Sequence, residues 1–77
     1  MPHIIVKMHS GRSDADKARL ADELSKALKS VLNSPDAAIS VGIEDVDPKD
    51  WAEKVYRPDI QGKPATIYRK PGYPPPV

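Results

Sequence analysis

The sequence predicts an α+β fold: a single βαβ unit whose two-stranded parallel sheet is extended by oligomerisation, followed by short C-terminal helical or strand elements. Three observations carry that prediction. Residues 2–8 and 38–46 each alternate apolar with polar side chains, the period of a strand with one buried face. The stretch between them repeats apolar residues at three- and four-residue steps, the period of an amphipathic helix. A strand, a long helix and a second strand in that order make two parallel strands with a right-handed crossover.

In the first strand Ile4, Val6 and Met8 point one way, and His3, Ile5 and Lys7 the other. Pro2 is compatible with the first position of a strand, where no ladder hydrogen bond is donated. Ser10, Gly11 and Arg12 form a turn. Ser13 sits at a helix N-cap, with Asp14 and Asp16 in the first turn, where carboxylates meet the positive end of the helix dipole. Ala18, Ala21, Leu24, Leu28, Val31 and Leu32 form the apolar stripe, and Lys17, Asp22, Lys26 and Lys29 lie mainly off it. Asn33 is placed to take a left-handed cap, and Pro35 stops the helix. The second strand, over 38–46, carries Ile39, Val41 and Ile43 between polar or small residues. Asp47 and Pro48 open a short helix, expected to run through Trp51 to Val55. Pro58, Gly62 and Pro64 then break the chain, and residues 66–70 read as a helical turn or a short strand. Residues 2–73 are expected to form one domain, and 74–77 a Pro-rich tail of polyproline character.

Size points to assembly. A 77-residue chain buries only ~60% of its unfolded surface. There is no cysteine to staple it, and no Cys/His cluster suggests a structural metal. The helix covers one sheet face, and the other face has to be covered by a second copy. Twelve basic and eleven acidic residues are interleaved, net +1, which gives no electrostatic footprint for nucleic acid. No apolar run approaches the ~20 residues of a membrane span, and no signal segment is apparent, so a cytoplasmic protein is expected.

The residue with distinctive chemistry is Pro2. Methionine is generally removed before proline, which exposes a secondary amine on a rigid ring. An apolar pocket or a nearby cation disfavours the charged form of such an amine and brings its pKa towards neutrality, where a general base works best. His3 and His9 lack the further ligand that a metal site needs and read as structural or solvated. No Ser-His-carboxylate triad and no glycine-rich phosphate loop is present.

Residues 2–46 of the chain resemble the 4-oxalocrotonate tautomerase family. The features that match are Pro2 to Lys7, then Gly11-Arg12-Ser13-Asp14, the amphipathic helix ending at Asn33-Ser34-Pro35, and the strand from Ile39 to Ile43. Asp47 to Trp51 and Arg69 to Tyr73 resemble the phenylenolpyruvate-tautomerase branch. The resemblance implies the tautomerase fold, no cofactor, and a homodimer as the favoured assembly. It implies that Pro2 shuttles a proton between an enol oxygen and carbon, that Arg12 binds a substrate carboxylate or polarises its carbonyl, and that Trp51 makes the pocket apolar. Ser40 stands where well-studied members carry a second arginine. It lines the substrate site without a charge for a second carboxylate, which favours a monocarboxylated 2-hydroxy-dienoate or arylenolpyruvate over a dicarboxylate. Arg69 and Lys70 read as exposed. Two other readings stay open: a hydratase or dehalogenase of unsaturated acids on the same scaffold, and a non-catalytic binding module if Met1 is retained.

Overall fold

The computed structural model describes residues 1–76; Val77, the last residue of the expected tail, lies outside the described residues. Strand β1 spans His3–His9, helix α1 Asp14–Leu32, and strand β2 Ser40–Val46. The two strands pair side by side in parallel, giving the βαβ unit that the sequence predicts. The backbone N–H of Ser40 donates to the carbonyl of Pro2 at 3.3 Å and fixes the register at the start of both strands. The chain divides into two compact units, Met1–Asp45 and Val46–Val77.

In the first unit the predicted caps are in place. The Ser13 hydroxyl accepts from the Asp16 N–H at 3.1 Å, with Asp14 and Asp16 in the first turn. Asn33 closes α1 at φ 59°, the left-handed conformation, with its N–H on the Lys29 carbonyl at 3.0 Å. Gly11 has φ +122°, so the turn between β1 and α1 uses a conformation that a side chain rarely adopts. Lys17 of α1 binds Asp45 at 2.6 Å and ties the helix to the far end of β2.

The second strand starts two residues later than the expected 38, because Asp36–Ala38 forms a 3₁₀ turn. Pro35 and Asp36 carbonyls take the N–H groups of Ala38 and Ile39 at 3.0 and 3.1 Å, so those donors are used locally rather than in the ladder.

The second unit also departs from expectation. Asp47 caps as read, its carboxylate accepting from the Lys49 N–H at 3.0 Å, and Pro48–Asp50 is a 3₁₀ turn. The chain then coils past Val55 as a π-helix over Ala52–Gln61, with Pro58 inside it. A proline ring collides with the carbonyl four residues back in an α-helix, and a wider register relieves that collision. The π-helix ends with the Gly62 N–H on the Arg57 carbonyl at 2.7 Å. A Cβ on Gly62 would lie 2.8 Å from the carbonyl oxygens of both Arg57 and Pro58, so glycine permits that closure. Pro64–Thr66 is a last 3₁₀ turn, and no regular strand follows among the described residues.

Burial is thin. Among the described residues only Val46 and Val55 are buried, and both belong to the second unit. Val46 is the last residue of β2, and the unit Met1–Asp45 contains no buried residue. Ala21, Leu24 and Leu28 of the helical stripe are half-buried. Val31 and Leu32 remain 80% and 57% exposed, and Ile5 on the opposite sheet face 51%. No helix among the described residues is long and apolar enough to cross a membrane.

Candidate active site

The even-numbered residues of β1 face α1: Met8 shares a surface cleft with Leu20, and Ile4, Val6 and Met8 are half-buried while His3, Ile5 and His9 are exposed. On β2, Asp45 faces the same helix through Lys17. By strand alternation Val41 and Ile43 share that side, while Ser40, Gly42 and Glu44 lie on the open face with His3, Ile5 and Lys7.

Pro2 is half-buried at the mouth of β1, its carbonyl held by the Ser40 N–H. The two residues that the sequence assigns to the substrate end of the strands therefore meet. The Ser40 side chain does more than fill a position. Its Oγ lies 2.6 Å from Nδ1 of His3, so the serine hydroxyl and the imidazole form a hydrogen-bonded pair beside Pro2. His3, read from the sequence as structural or solvated, belongs to this cluster. The signal that would have found it is strand register, since the two residues are 37 apart in the chain.

Arg12 is elsewhere. It follows the far end of β1, and a seven-residue strand spans roughly 20 Å at ~3.3 Å per residue. Within one protomer Arg12 and Pro2 therefore do not meet. Arg12 lines an open cleft of about 440 Å³ with Met8, Asp16, Arg19, Leu20 and Glu23. The four helical residues recur at i, i+3, i+4 and i+7, one face of α1. Arg19 is thus a second cation in the Arg12 cleft, legible in the helical spacing but not singled out by it.

Trp51 belongs to the second unit. Its Nε1 donates to the Tyr73 hydroxyl at 3.1 Å, and the Tyr73 ring lies 6.1 Å from that of Tyr56. The indole is held by the C-terminal segment, and Tyr56 and Tyr73 also line a cleft of about 250 Å³ with Ile60, Ile67 and Lys70. Among the described residues, no group of three or more His, Cys, Asp or Glu is placed to hold a metal ion.

Comparison with known proteins agrees with this architecture. The family model described as tautomerase enzyme matches residues 2–56. A probable tautomerase from Xylella fastidiosa is 45% identical over 73 residues, covering 95% of this chain and 89% of its own. Tautomerase PptA of Cronobacter sakazakii is 39% identical over 74 residues, 95% and 97% of the two chains. Among solved structures, TomN, a 4-oxalocrotonate tautomerase homologue of the tomaymycin biosynthetic pathway, superposes with a TM-score of 0.63 at 34% identity, over 65% of this chain and 77% of TomN. The parallel βαβ unit, the family match and these relatives lead to one assignment: the chain belongs to the tautomerase family, enzymes of keto–enol isomerisation, and has the 4-oxalocrotonate tautomerase fold.

Proposed function

We propose that the chain is a cofactor-independent tautomerase of monocarboxylated enols, with the Pro2 amine of the processed protein as general base. The observation that carries this reading is the position of Pro2. It is half-buried at the head of the sheet, and its carbonyl is tied into the ladder. A secondary amine on a rigid ring suits repeated proton transfer, because less freedom is lost when the substrate arrives. The base takes the enol proton of a 2-hydroxy-dienoate or an arylenolpyruvate. The same nitrogen returns a proton to carbon and yields the 2-keto acid.

Arg12 supplies charge to the substrate carboxylate or to the developing oxyanion. Because Arg12 and Pro2 of one protomer lie roughly a strand length apart, the arginine that acts with a given Pro2 comes from a second copy of the chain. The absence of any buried residue in Met1–Asp45, the unit that carries Pro2, supports the same assembly, a homo-oligomer with the dimer favoured. Trp51 contributes an apolar wall. Ser40 lines the site as a neutral residue, which supports a monocarboxylate as substrate.

The test is ketonisation of phenylenolpyruvate by protein whose mass confirms loss of Met1. Activity is expected to rise with pH through one ionisation of the free enzyme. Pro2→Ala, which keeps a terminal amine but a primary and more mobile one, is expected to retain a reduced rate. A processed protein that leaves the rate of enol decay unchanged would remove this reading.

A further inference from the structure

Beside Pro2 the sheet carries a polar pair that the tautomerase reaction as described above does not use. His3 and Ser40 meet at 2.6 Å on the open face, and Ser40 is also the residue whose backbone fixes Pro2. Both side chains are exposed in the single copy. A serine hydroxyl serves imidazole in either protonation state: it donates to a neutral Nδ1, and it accepts from Nδ1–H when the ring is charged. In both states Nε2 is left as a donor pointing away from the pair.

We propose that His3, oriented by Ser40, is a specificity-determining residue that binds the substrate's second polar group, the one remote from the carboxylate held by Arg12. This inference rests on the tautomerase reading of Pro2. It gives the site a hydrogen-bond donor in place of a permanent cation. A neutral Nε2–H suits a carbonyl or phenol oxygen. A protonated ring adds charge, and a hydrogen bond from a charged donor to a carboxylate is roughly twice as strong as a neutral one. The other titratable groups on this face are Lys7 and His9 of β1, Glu44 of β2, and the terminal amine. At ~3.3 Å per residue, Lys7 and Glu44 lie about 13 Å along their strands from His3 and Ser40, and His9 lies farther. Only the amine is close, and it acts on every substrate alike.

The reading to take is therefore a ratio: kcat/KM for 2-hydroxymuconate, with two carboxylates, over kcat/KM for phenylenolpyruvate, with one. The ionisation of Pro2 cancels in it. Measured at one pH, the ratio is expected to fall roughly five- to tenfold from the processed wild type to His3→Phe, which keeps a ring and loses the donor. Ser40→Ala should lower the ratio in the same direction, since the ring is no longer held. A ratio unchanged in His3→Phe would overturn the proposal. If neither substrate turns over, the reading of Pro2 has failed instead. The same ratio taken from calorimetric dissociation constants of 2-oxoadipate and phenylpyruvate then decides on His3.

Discussion

At the scale of single residues, Arg12 makes the sharpest separation between binding and folding. It is exposed, follows the glycine turn, and makes no ion pair within the described residues. Arg12→Ala is expected to lower kcat/KM for a carboxylated enol by the worth of a charge-assisted hydrogen bond, about 1.5–3 kcal/mol, or roughly 10- to 150-fold. Thermal stability should hardly move. Equal kinetics for variant and wild type, measured on the same preparation, would make Arg12 a solvated turn residue. The sequence singles out Pro2, Arg12 and Ser40 as candidates, because they stand at spacings that a family resemblance picks out. It does not show the His3–Ser40 pair, since a contact across 37 residues depends on the register of two strands, and periodicity alone leaves register free. Nor does it show the distance between Pro2 and Arg12. That distance follows from β1 being a straight strand between them.

The elements of the first unit are legible for local reasons. A cap residue, an apolar stripe and a left-handed asparagine are short-range signals, and α1 begins and ends where they stand. The π-helix over Ala52–Gln61 is not legible, because Pro58 normally ends a helix and the wider register that accommodates it has no local signature. Gly62 marks its end, and Gly62→Ala is expected to be destabilising. The added Cβ would sit 2.8 Å from two backbone oxygens, a clash of the kind that costs about 1–3 kcal/mol. A thermal melt within a degree of wild type would show that the closure relaxes freely. The tie between α1 and β2 makes a pH prediction. The hydrogen bond from Lys17 to Asp45 holds the lysine above its usual 10.5, while partial desolvation opposes the shift. A raised folded-state value adds stability that is complete below 10.5 and fades as pH climbs through the folded value. Denaturant midpoints measured from pH 9 upward should fall more steeply for wild type than for Asp45→Asn. Parallel curves would mean that the pair contributes nothing in solution.

For the whole molecule, the unit that carries Pro2 has no buried residue, and Ile5, Val31 and Leu32 are all more than half exposed. Full burial of such side chains is worth about 1.5–3 kcal/mol each, so association is a large part of the stability available to so small a chain. Light scattering is expected to give a homo-oligomer at micromolar concentration, and a stable monomer would contradict the assembly. A site built from Pro2 of one copy and Arg12 of another also predicts complementation. Met1-retaining protein and Arg12→Ala protein, each impaired alone, should regain part of the activity when unfolded together and refolded, because some mixed sites then carry both intact groups. The central claim concerns the nitrogen of Pro2 in that assembled enzyme. The most direct measurement compares turnover of phenylenolpyruvate by the processed form and by the Met1-retaining form of the same assembled protein, each verified by mass. Retention of Met1 turns the prolyl nitrogen into a non-basic amide, so the account predicts a loss of catalysis far greater than that of Pro2→Ala. Equal rates for the two forms would mean that the amine of Pro2 is not the base.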